Sequence, residues 1–229
     1  QKIEKMGLWI SGFFGSGKSS FAKNLGLILS NPQICGSNAS ELFKKKFDDQ
    51  RISSYIDNIN ARIPAKVIMF DIANTSYVRK GGKELISEVM YRSLLENLGY
   101  SKDFDIAELE IWLEQSGRYD DFLVAYNELY QDVPWEEARN GAEKMGRASA
   151  AMHRLDPATY PDVLAWRNTV RGKSVDFSVE DFVARVFELS GRRLKGKSLV
   201  FIIDEVGQYV GRSDAKLEDL RVVIEGLGK

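Results

Sequence analysis

Eight residues, Gly12-Phe13-Phe14-Gly15-Ser16-Gly17-Lys18-Ser19, match the pattern G-x-x-x-x-G-K-[ST] and constrain the fold more than any other feature of the chain. Glycines at this spacing let a backbone curl until successive N–H groups point inward, an arrangement suited to phosphate oxygens. The loop works when a strand precedes it and a helix follows, because a helix start adds partial positive charge and unpaired donors. Both are expected. Leu8-Trp9-Ile10 is a short apolar run that predicts a buried strand. Phe21, Leu25, Ile28 and Leu29 recur at helical spacing until Asn31-Pro32 stops the pattern. A chance match in a chain of this length has a probability of roughly 1%. The bland alternative is a glycine turn before an amphipathic helix with an exposed lysine.

The nucleotide reading gives Gly12, Phe13, Phe14, Gly15, Ser16, Gly17, Lys18, Ser19 and Ser20 the phosphate contacts. Lys18 reaches the β- and γ-phosphates as a catalytic point charge, Ser19 ligates Mg²⁺, and Ser20 helps at the α-phosphate. Downstream, Ile52, Ile56, Ile59 and Ile63 line one helix face that Pro64 ends, and Val67 to Ile72 reads as a second buried strand. Leu85, Val89 and Leu94-Leu95 predict a helix running to Gly99. Helices are also expected through Leu113 and Leu129, after Pro134, and from Ser178 with Asp181, a helix-start signature. Leu199 to Ile203 predicts the last strand, and Leu217, Leu220, Val223-Ile224 and Leu227 the last helix.

That last strand ends in Asp204-Glu205. In open α/β sheets ligands bind at the carboxyl ends of the strands, where the phosphate loop also lies. Asp204 is therefore expected to hold the magnesium shell, and Glu205 to act as general base on the attacking water. The competing reading is a strand that ends at a charged turn. Asn74 is a candidate switch contacting Glu205, or an ordinary strand-end turn. Gln208 either orients water or caps the turn after the strand. Arg212 and Arg221 are candidate fingers acting in trans, or solvated arginines.

Taken together, Trp9-Ile10-Ser11-Gly12-Phe13-Phe14-Gly15-Ser16-Gly17-Lys18-Ser19 and Asp204-Glu205-Val206-Gly207-Gln208-Tyr209-Val210-Gly211 resemble the Walker A and Walker B segments of BrxC, the P-loop ATPase family of bacterial BREX phage-resistance systems, and its PglY relatives. Softer similarities run through Ile106 to Glu110, Gly117, Tyr119, Phe122, Trp135 and Arg139, and through Leu220 to Gly228. The chain departs from the pattern at Ser20, where the family more often has histidine. The resemblance implies ATP and Mg²⁺, other BREX components and DNA as partners, and a homo-oligomer of the longer protein. It also implies an additional-strand, AAA+-like α/β core: a parallel sheet flanked by helices, in the order 5-1-4-3-2, with a large helical insertion before the Walker B strand. The expected boundaries are 1–98 for the first part of the core, 99–197 for the insertion and 198–229 for the closing strand and helix. The fourth strand belongs between the phosphate-loop strand and the Asp-Glu strand, and we expect it beyond Lys229, in a longer ATPase.

Composition narrows the alternatives. A chain of 229 residues with 44% hydrophobic residues can bury a core, and one cysteine, Cys35, makes neither an internal disulfide nor a multi-cysteine zinc site. With no long apolar run and no secretory leader, the expectation is a cytoplasmic protein without a membrane span. The net charge of −1 gives no global pull toward nucleic acid. Eleven carboxylates from Asp103 to Glu137 face one base, Arg118, and a basic stretch from Arg139 to Lys173 follows. That stretch is read as a partner for the acidic segment or a solvated face, ahead of a DNA contact. Trp112, Trp135 and Trp166 are expected in the insertion's core, and His153 at the surface or in a loop. Two rival functions remain open: a nucleotide-gated assembly scaffold with little hydrolysis, and a related replication-initiator or signalling ATPase.

Overall fold

The structure is a computed structural model, and it describes residues 7–73, 85–171, 178–211 and 213–228. Lys18–Ser30 forms α1, which stops where Asn31 turns left-handed and its N–H donates to Leu27 O. Gln33–Ile34 (β1) and Ser37–Asn38 (β2) make a small antiparallel hairpin. Its two turn residues, Cys35 and Gly36, both have positive φ, the twist a two-residue hairpin needs. Ala39–Lys44 (α2) and Gln50–Arg62 (α3) follow, the latter capped by Asp49, and lead into β3, Ala65–Asp71. Ile86–Asn97 is α4, Phe104–Gln115 α5, Tyr119–Leu129 α6, Trp135–Ala138 α7, Lys144–Leu155 α8 and Ala165–Val170 α9. Val179–Arg193 (α10) opens with the Ser178–Asp181 capping box. Ser198–Asp204 (β4), Val206–Val210 (α11) and Asp214–Gly228 (α12) complete the described chain.

Two compact units emerge, one made of Gln1–Tyr91 with Ser178–Lys229, the other of Arg92–Phe177. In the first, β3 and β4 pair in parallel over their full lengths, from Ala65 opposite Ser198 to Asp71 opposite Asp204. Helix α1 lies against this sheet at Gly26, where an added Cβ would sit 2.3 Å from the Met69 methyl and 3.0 Å from that of Ile202. The missing side chain lets the helix approach the sheet closely. Gly226 of α12 gives Val183 of α10 a similar close approach. The second unit has its own core, in which Ile106, Leu109, Leu113, Phe122, Tyr126, Trp135, Met152 and Trp166 are buried together.

Three expectations need correcting. Leu8-Trp9-Ile10 forms no strand, and its side chains are 75%, 64% and 37% exposed. An apolar run becomes a strand only where a neighbour takes up its N–H and C=O groups, and the sheet of β3 and β4 does not extend to this one. The boundaries 99–197 also shift, since α10 packs with α12 in the first unit and the second unit spans Arg92–Phe177. Trp112, finally, is 41% exposed on α5, whose opposite face supplies the core. His153 is partly buried on α8, with Nδ1 2.6 Å from Tyr160 O.

Candidate nucleotide site

The loop from Gly12 to Lys18 takes its shape from residues without side chains. Gly15 and Gly17 have φ of 78° and 84°, a region in which a β-carbon is strained, and Gly17 is the residue that caps α1. Ser16 N–H donates to Phe13 O at 3.1 Å and closes the turn. The first N–H groups of any helix lack intrahelical acceptors, so the start of α1 presents donors beside the loop. Phe13 and Phe14 stand almost wholly in solvent. Lys18 bends back over the loop, its Nζ donating to Gly12 O at 2.9 Å and to Phe13 O at 2.8 Å.

A cleft of about 290 Å³ opens between α1 and the carboxyl ends of the two long strands. Ser19, Ala22 and Lys23 line it from the helix, Asp71 from β3 and Asp204 from β4. Two residues from opposite ends of the chain, Ser19 and Asp204, thus share one cavity. Asp71 is the residue that sequence reasoning missed. Its signal was available: it ends an apolar strand just as Asp204 does, and the parallel register sets the two opposite each other. Asp71 Oδ1 accepts from Ala73 N–H at 2.9 Å, and Asp204 Oδ1 from Glu205 N–H at 3.0 Å.

Glu205 starts α11 from a left-handed backbone, φ 59° and ψ 23°. Its carboxylate accepts a hydrogen bond from Gln208 Nε2 at 2.7 Å. Both i+3 and i+4 N–H groups, of Gln208 and Tyr209, donate to the Glu205 carbonyl. Helix α11 is tied to α12 by Lys216, whose Nζ lies 3.9 Å from the centre of the Tyr209 ring. Arg221, one of the candidate fingers, pairs with Glu218 and Glu225 on its own helix. Asn74 and Arg212 lie outside the described residues.

No family model and no solved structure matches the chain.

Among the described residues, no three His, Cys, Asp or Glu side chains come together as a cation cage. Magnesium delivered with a triphosphate does not need one, since it keeps water and phosphate oxygens and takes one or two protein ligands. A serine hydroxyl and a carboxylate facing one cleft fit that demand. No described helix is long and apolar enough to cross a membrane.

Proposed function

We propose that the first unit is the core of a P-loop ATPase of the additional-strand, AAA+-like type, which binds ATP with Mg²⁺ and hydrolyses it. The observation that carries this reading is the shared cleft of Ser19 and Asp204 beside a loop whose turns need glycine. Loop N–H groups and Lys18 would hold the phosphates, the Lys18 ammonium exchanging its carbonyl acceptors for charged oxygens that bind it more strongly. Ser19 and Asp204 would hold Mg²⁺, which when bound neutralises charge between the phosphate oxygens. Glu205 takes a proton from the water that attacks the γ-phosphorus, and the bond to the β–γ bridging oxygen breaks to release ADP. The resemblance to BrxC supplies the setting we propose: remodelling of a BREX defence complex on DNA, with other BREX components as partners.

The test separates binding from turnover. Lys18→Ala is expected to weaken ATP binding. Glu205→Gln is expected to keep binding and lose about 10²- to 10⁴-fold in turnover, the usual worth of a positioned base. Equal turnover by wild type and Glu205→Gln refutes the assignment. The scaffold reading, with little hydrolysis, draws on one observation: the hydrogen bond that engages Glu205.

A further inference from the structure

We infer that the edge of the sheet opposite the cleft, where β3 and β4 begin, binds the phosphate backbone of double-stranded DNA through Arg62, Lys66, Lys195 and Lys197. The inference concerns a second surface of the first unit and does not depend on the ATPase reading. The cleft lies at the carboxyl ends of the strands, at Asp71 and Asp204. Both strands are seven residues long and fully in register, so their amino ends stand about 20 Å from it. There two segments distant in sequence meet. Ser198 N–H donates to Pro64 O at 2.8 Å, and Ala65 stands opposite Ser198. Arg62 and Lys66 thus flank the point of the ladder that Lys195 and Lys197 lead into from the other strand. Lys197 N–H donates to Leu194 O at 2.7 Å across Gly196, whose φ is 74°, so both lysines are carried on a closed turn.

Arg62, Lys195 and Lys197 are exposed, and Lys66 is partly buried. Neither residues 58–70 nor residues 189–203 include a carboxylate, and among the described residues none of the four cations pairs with one. Arg62 ends α3, where a cation offsets the helix dipole, but Lys66, Lys195 and Lys197 lie outside helices and have no such duty. In the basic stretch of the second unit, by contrast, Arg139, Lys144, Arg147 and Arg154 each meet a carboxylate. The chemistry of the edge selects its occupant. A protein partner wants an apolar centre, and a single strand wants aromatic rings to stack on. The two segments offer Ile63 as their one exposed large hydrophobic residue and no exposed ring. Lysine and arginine side chains donate and never accept, which suits phosphate oxygens and leaves a ribose 2′-hydroxyl proton without an acceptor. That favours a DNA duplex, held by charge and without sequence preference.

The experiment is fluorescence anisotropy of a labelled DNA duplex of about 20 base pairs, titrated with the whole chain at about 50 to 200 mM salt. Four phosphate contacts give a slope of log K against log salt near about −3.6, a loss of roughly 150-fold in affinity over that range. Lys195→Gln combined with Lys197→Gln should halve the slope, leaving a loss of about twelvefold. Lys195→Arg combined with Lys197→Arg should keep it, because charge is what counts. Lys66→Gln alone should lower the slope by about 0.9 and serves if the turn at Gly196 proves sensitive to substitution. Lys45→Gln with Lys46→Gln is the control, since this exposed pair precedes the far end of α3 and should leave the slope alone. An unaltered slope in both the Lys195–Lys197 glutamine variant and Lys66→Gln, an equal drop in the control, or no binding by wild type at the lowest salt overturns the inference. So does an RNA duplex of the same sequence, or polyglutamate, that binds as tightly as the DNA. Failure of the wild-type protein to bind an ATP analogue would overturn the ATPase reading and leave this surface standing.

Discussion

Glu205 occupies a backbone region that L-residues other than asparagine and aspartate seldom adopt, at φ 59°. The strain is local and its position is telling, between the strand that ends in Asp204 and the helix that carries Gln208. A left-handed residue here turns the chain sharply, so that strand and helix meet at the cleft's rim. Such strain persists where the surroundings over-determine it, and Asp204 Oδ1 and the two N–H groups on the Glu205 carbonyl do so. Asparagine tolerates the region better. Glu205→Asn is therefore expected to stabilise the protein by about 0.5–1 kcal/mol while abolishing turnover. Urea denaturation beside an ATPase assay checks both halves, and a loss of stability would mean that the Glu205 side chain contributes more to folding than its backbone costs.

At the scale of elements, α4 has an unusual start. Its first N–H groups are served by Asp219, a buried residue of α12 that is distant in sequence. Asp219 Oδ2 accepts from Ile86 N at 2.6 Å and Ser87 N at 3.3 Å, and Oδ1 from Ser87 Oγ at 3.0 Å. One carboxylate thereby joins the start of α4 to α12 within the first unit and accepts from three donors there. Asp219→Ala is expected to cost about 1–3 kcal/mol, more than a surface cap, because the orphaned donors stay buried. Asp219→Asn keeps one acceptor and should cost less. The ordering of the two variants in urea midpoints is the readout. A cap from so far along the chain leaves no trace in the residues around Ile86, which is why helix-start patterns reveal α10, with Ser178 and Asp181, and not this contact.

At the scale of the whole molecule, each unit has its own apolar core, and the second carries a charge inside it. Glu110, fully buried, accepts from Trp135 Nε1 at 2.8 Å, Arg139 at 3.1 Å and Ser101 N–H at 2.7 Å. Burial pushes its carboxyl above the ordinary value of 4.5, and the Ser101 N–H and the Arg139 charge offset this only in part. The folded unit therefore binds more protons than the unfolded chain between that value and the raised one. Stability from this group falls as pH rises through the interval and is level above it. Glu110→Gln cannot ionise and is expected to flatten that part of the profile. Thermal melts of both proteins from about pH 4 to 8 would show it, and parallel profiles would sink the assignment. Elsewhere in this unit, Lys144 pairs with Asp103, Arg147 with Asp132, Arg154 with Glu128 and Arg118 with Asp156. The basic stretch thus meets the acidic one, the bland reading of both.

What the amino-acid order determined by itself is local. Gly12 to Ser19 announces a loop before a helix, Val67 to Phe70 and Leu199 to Ile203 announce strands, and Pro64 and Asn31 announce stops, because each depends on neighbours within a turn or two. Only the tertiary structure decided which strands pair, that Asp71 stands opposite Asp204, that Leu8 to Ile10 is left unpaired and exposed, and that Trp112 faces water. Those outcomes depend on segments far apart in the chain competing for the same hydrogen bonds and the same apolar surface. No window of sequence contains both competitors.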